Sequence, residues 1–174
     1  MNGPALLEIV DVLRSRHDLP LDKGRCLDLY KSKIQDIYKD LVKPVDGAGF
    51  ILQELRCLGY KVMLVTSSDQ DIASGFIRSQ KWEPYFQGYV FGNEVKKAKP
   101  SSEIYELALK RAKVLSTSVV VVEDSCNGVR SAKATGAFVI GSINDQTKES
   151  LVGAGADITI RHLKEMMPII EAGS

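Results

Sequence analysis

The chain has 174 residues, of which 44% are hydrophobic and 26% charged, and this is the composition of one ordinary globular domain. Its 23 Lys and Arg balance 22 Asp and Glu, whereas proteins that bind nucleic acid normally carry a basic excess. We therefore expect no nucleic-acid partner. No apolar run approaches about 18 residues, so no membrane span is expected either. The three cysteines are scattered and form no CxxC pair, which favours reduced thiols. The first residues do not resemble a secretory signal, and both observations favour a location in the cytoplasm.

The spacing of apolar residues divides the chain into two regions. From Ala5 to Leu41 they recur at helical spacing, which predicts a helical hairpin that turns between His17 and Pro20. After Pro44, short apolar runs alternate with helical stripes. The predicted strands cover residues 61–66, 88–91, 118–123, 137–141 and 157–160. The predicted helices cover residues 50–58, 69–80, 101–113, 125–135, 148–153 and 163–170.

Strands that alternate with helices predict an α/β fold with a doubly wound, mostly parallel sheet. The runs VMLV at 62–65 and VVVV at 119–122 show no alternation of polar and apolar residues. Such runs are typical of strands that are buried on both faces. We expect this core to span residues 44–174, with a small helical unit over residues 1–43, because Pro44 disfavours helix at the residue before it.

Polar residues lie at the ends of two predicted strands and in the loop between those strands. Thr66 and Ser67 end the first strand, Glu123 and Asp124 end the third, and Lys99 lies in the intervening loop. In open α/β sheets, ligands bind outside the carboxyl ends of the strands. Carboxylates and phosphate oxygens are the usual ligands of Mg²⁺, and a hydroxyl, the amides at a helix start and a lysine can bind phosphate. The pattern therefore predicts phosphate chemistry on Mg²⁺.

Each of these motifs also has a simpler interpretation. A Thr-Ser pair before a helix is usually a helix cap, and loop lysines are usually solvated, whereas two adjacent acids after an apolar strand are less common. It is the order of the three motifs that favours a phosphate site. A dinucleotide-binding domain is not favoured, because no GxGxxG follows a strand. A receiver-type phosphoacceptor domain is not favoured either, because receivers place their acids first.

Three segments carry a more specific resemblance. KVMLVTSS, KPSSEIYELALKRA and VVVVEDSCNGVRSAKATGA resemble motifs II, III and IV of the haloacid dehalogenase superfamily. The closest resemblance is to its β-phosphoglucomutase and sugar-phosphate phosphatase branch. The most specific part is the pattern over residues 123–136. The resemblance implies a Rossmann-like core with an α-helical cap, of which residues 1–43 would be a part. It also implies a small phosphorylated metabolite as substrate.

The resemblance implies a role for each candidate residue. Thr66 would bind the phosphoryl group, with Ser67 beside it and contributing its amide. Lys99 would stabilise the pentacoordinate phosphorus and the charge of the nucleophile. Asp124 would bind Mg²⁺ directly, and Glu123 would bind it directly or through water.

The family also requires a first motif, hhhhDxDGT, whose first Asp becomes aspartyl phosphate. The single Asp-x-Asp of this sequence is at 69–71, past the end of a strand and inside a helix start, and we reject it as the nucleophile. We therefore expect an N-terminal truncation and a core that lacks its first strand. That strand would lie between the strands of motifs II and IV. Without it, either these two strands pair or another segment fills the gap, and self-association through an open edge is expected.

The functional prediction is a Mg²⁺-dependent phosphate-ester hydrolase or sugar phosphomutase that acts through an aspartyl phosphate, with the nucleophile supplied from outside this chain. The alternative is a catalytically inactive, truncated relative that binds a ligand or a partner, or that has no activity. The substrate and the choice between phosphatase and mutase stay open at this point.

Overall fold

The computed structural model of the chain describes residues 6–17 and 20–172. Within these ranges the helices are α1 (Leu6–His17), α2 (Lys23–Asp40), α3 (Ala48–Cys57), α4 (Gln70–Ser79), α5 (Glu103–Ala112), α6 (Cys126–Lys133), α7 (Lys148–Gly153) and α8 (Met166–Ala172). The strands are β1 (Met63–Val65), β2 (Gly88–Val90), β3 (Val120–Glu123), β4 (Phe138–Ser142) and β5 (Ile158–Ile160). The order of helices and strands is the predicted one, and four short 3-10 helices are added, at Glu83–Tyr85, Gly92–Glu94, Ser116–Ser118 and Leu163–Glu165. The predicted hairpin start at Ala5, turn residues 18 and 19, and the last two residues lie outside the described ranges.

Capping side chains explain where several helices begin. An N-cap oxygen accepts a hydrogen bond from a backbone N–H in the first turn, which otherwise lacks a partner. Asp69 does this for α4, and Ser125 does it for α6 by accepting from the Gly128 N–H at 3.0 Å. Each cap lies within four residues of the end of a strand. The chain therefore turns from β1 into α4 and from β3 into α6 at the same edge of the fold.

All strand pairs are parallel, which confirms the predicted α/β class. Strand β1 pairs with β2, and β3, β4 and β5 pair in that order. The register places Val65 opposite Val90 and Glu123 opposite Gly141. Within the described residues, β1 and β3 do not pair with each other. The sheet therefore consists of two parts, and no described segment fills the gap between them.

The prediction that both apolar runs are buried on their two faces is wrong for β1 and β3. Every residue of β1 is half-buried, and Val120 of β3 is 40% exposed, whereas Val139 and Ile140 of β4 are fully buried. The physical reason is the number of neighbours. Strand β4 has a strand on each side, whereas β1 and β3 each have one among the described strands, and residues of both strands line a cavity between the two parts of the sheet.

The helices cover both faces of the sheet. Val139 and Ile140 are consecutive on β4 and therefore point to opposite faces. Val139 packs in a cluster with residues of α5, α6 and α7, and Ile140 packs in a second cluster with residues of α3 and α8. This arrangement confirms the doubly wound architecture.

The helical hairpin packs on the core. Helices α1 and α2 contact each other, and α2 contacts α4. Lys31 of α2 forms an ion pair with Asp69, the residue that caps α4, at 3.3 Å. The division into a partial cap at 1–43 and a core at 44–174 stays a prediction. No helix within the described ranges is long and apolar enough to cross a membrane.

Substitution of Ile140 by Ala is expected to lower the free energy of unfolding by about 2–5 kcal/mol, because it leaves a cavity at the centre of the fold. The matched control is Ile158→Ala. Ile158 is the register partner of Ile140 on β5 but is 39% exposed, so we expect a loss of about 1 kcal/mol or less. Urea denaturation measures both values. Equal losses would contradict the central position of β4.

Candidate functional site

A cavity of about 410 Å³ opens at the carboxyl ends of β1 and β3, between the two parts of the sheet. All five residues that the sequence indicates line it: Thr66, Ser67, Lys99, Glu123 and Asp124. They lie at the ends of two strands and in one loop, and more than 50 residues separate the first from the last in the sequence. The ends of β1 and β3 both open onto this cavity, and this brings the five residues together.

On the β1 side, Thr66 is held by two hydrogen bonds. Its backbone N–H donates to the carbonyl of Val90 at 3.0 Å, which extends the β1–β2 pairing by one residue. Its Oγ1 accepts from the backbone N–H of Ser68 at 3.1 Å. Since that oxygen already accepts a hydrogen bond, the hydroxyl proton is left to donate. The Thr66 hydroxyl can therefore donate to an anion in the cavity.

The loop that carries Lys99 is tied to the start of α5. The carboxylate of Glu103 accepts the backbone N–H groups of Lys96 at 2.8 Å and of Lys97 at 3.0 Å. The hydrogen bond from the Lys96 N–H, opposed in part by desolvation and reinforced by the Lys97 N–H, lowers the pKa of Glu103. This attachment fixes the backbone just before Lys99. The Lys99 ammonium itself forms an ion pair with Glu123.

Glu123 is enclosed by protein on both of its carboxylate oxygens. Oε1 accepts from the Lys99 ammonium and from the Tyr105 hydroxyl, and Oε2 lies 3.4 Å from Ser125 Oγ. Glu123 is 8% exposed and Tyr105 is 5% exposed. Burial, and after it the negative charge of Glu123, raise the pKa of Tyr105 far above its ordinary value. The phenol therefore stays protonated and donates to Glu123.

Asp124 differs from Glu123 in being exposed to the cavity. No side chain or backbone group in the described part of the chain forms a hydrogen bond or ion pair with its carboxylate. Nor do three His, Cys, Asp or Glu side chains gather into a metal-binding group anywhere in that part. Mg²⁺ ordinarily takes one or two carboxylates and completes its shell with water and phosphate oxygens. The exposed carboxylate of Asp124 fits a direct contact of this kind, whereas Glu123, whose two oxygens are engaged by protein, fits a contact through water.

Two features of the site were missed by the sequence reasoning. Ser142 and Asn144 line the cavity at the end of β4, and they would have been found by applying the strand-end rule to that strand as well. Tyr105 was missed because it lies in the apolar stripe of α5, beside the buried residues Ile104 and Ala108. The available signal was the Tyr hydroxyl itself, because a hydroxyl that is buried in an apolar stripe needs a hydrogen-bond partner.

Comparison with known proteins identifies the class. A sequence model of the haloacid dehalogenase-like hydrolases matches residues 1–142. The chain belongs to that family, whose members are hydrolase-type enzymes, and this confirms the resemblance that the three motifs indicate.

Among particular relatives, the chain is 36% identical over 138 residues to the phosphorylated carbohydrates phosphatase of Thermotoga maritima. The match covers 75% of this chain and 63% of that protein, so the chain spans less than two thirds of the relative's length. A Thermotoga maritima structure provisionally named a β-phosphoglucomutase has a TM-score of 0.78 at 28% identity and covers 95% of this chain and 77% of its own. CbbY from Rhodobacter sphaeroides, solved in complex with phosphate, matches the fold with a TM-score of 0.82 at 23% identity and covers 95% of this chain and 76% of its own.

Substitution of Gly128 by Ala is expected to destabilise the protein, because a Cβ at this position would overlap the Glu123 carboxylate. Either Glu123 or α6 must then move, at a cost of about 1–3 kcal/mol in the free energy of unfolding. The control is Gly75→Ala in α4, where an added Cβ meets no atom within 4 Å. It is expected to stabilise the protein by about 0.4–1 kcal/mol. Chemical denaturation distinguishes the two signs, and a neutral Gly128→Ala would refute the close packing of Glu123.

The attachment of the Lys99 loop is expected to depend on pH. Because the pKa of Glu103 is below its ordinary value of 4.5 in the folded chain, the attachment is complete above pH 4.5 and is lost as the pH falls through the lower folded value. NMR titration should show the amide protons of Lys96 and Lys97 shifting together below pH 4.5. The variant Glu103→Gln should abolish this titration. Amide shifts that survive in the variant would assign the titration to another group.

Proposed function

We propose that this chain is part of a Mg²⁺-dependent phosphate-ester hydrolase or sugar phosphomutase that acts through an aspartyl phosphate. The observation that carries the proposal is the meeting of a hydroxyl, an ammonium group and two carboxylates in one cavity, from Thr66, Lys99, Glu123 and Asp124. Phosphoryl transfer depends mostly on positioning and on neutralising charge, and these groups supply both.

In the proposed mechanism, the Thr66 hydroxyl donates to one phosphoryl oxygen and the amide of Ser67 to another. The first amides of α4 are not used in this mechanism, because those of Gln70 and Asp71 already donate to Asn93 and Asp69. Lys99 places its charge beside the phosphoryl group, where negative charge must be balanced in the transition state. Asp124 directly, and Glu123 through water, would hold Mg²⁺, which would supply further neutralisation of the phosphoryl oxygens when bound.

The nucleophile is proposed to come from outside these 174 residues. The single Asp-x-Asp of the sequence does not line the cavity, and Asp69 is engaged in capping α4 and in the ion pair with Lys31. The gap between β1 and β3 is where an added strand fits, because Val65 and Val122 line the cavity there and each strand has one described neighbour. A parallel segment could pair with both edges and bring a carboxylate to the site. A second copy of the chain is the competing source of such a segment.

The proposed substrate is a small phosphorylated metabolite. The cavity volume falls within the range of about 300–1,000 Å³ that is typical of small-molecule sites. The relative named for phosphorylated carbohydrates and the phosphate complex of CbbY support this class of substrate.

Residues 1–43 are proposed to form part of a cap beside the cavity. We also propose a cytoplasmic location, which the three free cysteines support.

Substitution of Asp124 by Asn is expected to weaken the binding of inorganic phosphate in the presence of Mg²⁺ by about tenfold or more. The reason is that the loss of one carboxylate removes a charged metal contact, and tenfold corresponds to about 1.4 kcal/mol. Isothermal titration calorimetry on the 174-residue chain measures the affinity. Asp28→Asn is the control, because Asp28 is exposed on α2 and does not line the cavity. Equal affinities in the two variants would contradict a metal role for Asp124.

The nucleophile proposal is tested on the protein isolated from its natural source. Its intact mass is measured together with Mg²⁺-dependent release of phosphate from p-nitrophenyl phosphate. A mass several kilodaltons above 19.1 kDa, with phosphate release, is the expected result. A mass of 19.1 kDa without release would favour the inactive binding protein instead.

A further inference from the structure

We infer that Tyr105 is a positioning residue that directs the Lys99 ammonium into the cavity through the carboxylate they share, Glu123. The statement that this ammonium meets phosphate rests on the proposed function. The positioning itself rests on the contacts of the three side chains.

The three groups form a closed set of hydrogen bonds. The Tyr105 hydroxyl donates to Glu123 Oε1, and Lys99 Nζ donates to the same oxygen. Lys99 Nζ also lies 3.3 Å from the Tyr105 hydroxyl oxygen, which accepts from it. The ammonium is 5.0 Å from the centre of the Tyr105 ring, a cation–π distance. The exposed fractions of the Lys99 and Glu123 side chains are 10% and 7%.

The number of N–H donors on the Lys99 ammonium group indicates what these hydrogen bonds do. An ammonium group has three N–H donors, of which Glu123 takes one and Tyr105 takes one. A single partner would fix the position of the ammonium but leave it free to rotate on its flexible stem. Two partners also fix its direction and leave the third donor for a ligand. The set therefore holds Lys99 oriented before a phosphate arrives.

The supports of the set are rigid. Tyr105 belongs to α5 and packs in the core cluster that includes Val129 and Val139. The second oxygen of Glu123 is confined by Ser125 and by the close approach of Gly128. Glu123 therefore cannot swing freely toward the cavity. Because Tyr105 donates to the same oxygen as Lys99, the buried charge of Glu123 has two hydrogen-bond donors while the third Lys99 donor is left for a ligand.

The test is NMR of the lysine ammonium groups in the ¹⁵N-labelled chain. Wild type is expected to give a signal from Lys99 that is protected from exchange with water, and Lys99→Met assigns it by removing it. Tyr105→Phe keeps the ring but removes the hydroxyl, and it is expected to shift this signal or broaden it beyond detection. Tyr85→Phe makes the same change at a tyrosine that forms no hydrogen bond with Lys99 or Glu123, and it should leave the signal unchanged. A purely structural role would lower stability without changing the ammonium signal.

Two further measurements keep the inference decidable. If Tyr105→Phe fails to fold, wild type still must show a nuclear Overhauser effect between the Lys99 methylene protons and the Tyr105 ring. Its absence, an unprotected Lys99, or an unchanged signal in Tyr105→Phe would each overturn the inference. Inorganic phosphate is expected to bind Tyr105→Phe about five- to tenfold more weakly, with the affinity for Mg²⁺ alone changed less than twofold. A wild type that binds no phosphate but shows the Tyr105-dependent signal would refute the proposed function and not the positioning.

Discussion

The buried ion pair between Lys99 and Glu123 is the interaction on which the site depends. Taking two charges out of water is costly unless additional hydrogen bonds compensate them. Here the compensation comes from Tyr105 and Ser125, and the absence of a side chain at Gly128 makes room for the carboxylate. The start of α6, the buried face of α5 and the end of β3 are thus all constrained by one carboxylate. Asp124, the next residue, is left as the acid that faces the cavity.

The same ion pair bears on how the two parts of the sheet are held together. Strands β1 and β3 do not pair within the described residues, so no backbone hydrogen bonds join the two parts there. Helix α5 contacts β1 and β2 on one side and α6 on the other, and it carries Tyr105. The contact of Tyr105 with Glu123 therefore links the helix that packs on the first part to a strand of the second. The cavity owes its place to this gap, because it opens where the two parts face each other.

Two findings limit what can be said of the function: the family to which the chain belongs, and the share of its relatives' length that the chain covers. The chain belongs to the haloacid dehalogenase-like hydrolases, and the residues that match motifs II, III and IV meet in one cavity. The match covers 63% of the Thermotoga maritima phosphatase, and the sequence has one Asp-x-Asp, which does not line that cavity. The phosphate-binding half of the chemistry is proposed to lie with these residues of this chain. The covalent half is proposed to depend on a carboxylate that another segment brings to the gap.

The sequence by itself determined the order of helices and strands, the parallel α/β class and the five candidate residues, because periodicity, caps and strand ends are local features. It did not determine the burial of β1 and β3. An apolar run such as VVVV indicates that a strand can be buried, but whether neighbours are present on both sides depends on distant parts of the chain. Tyr105 is a similar case, since its partner Glu123 lies 18 residues away and on a different element. Only the tertiary structure decided these points, because each depends on which residues the fold brings together.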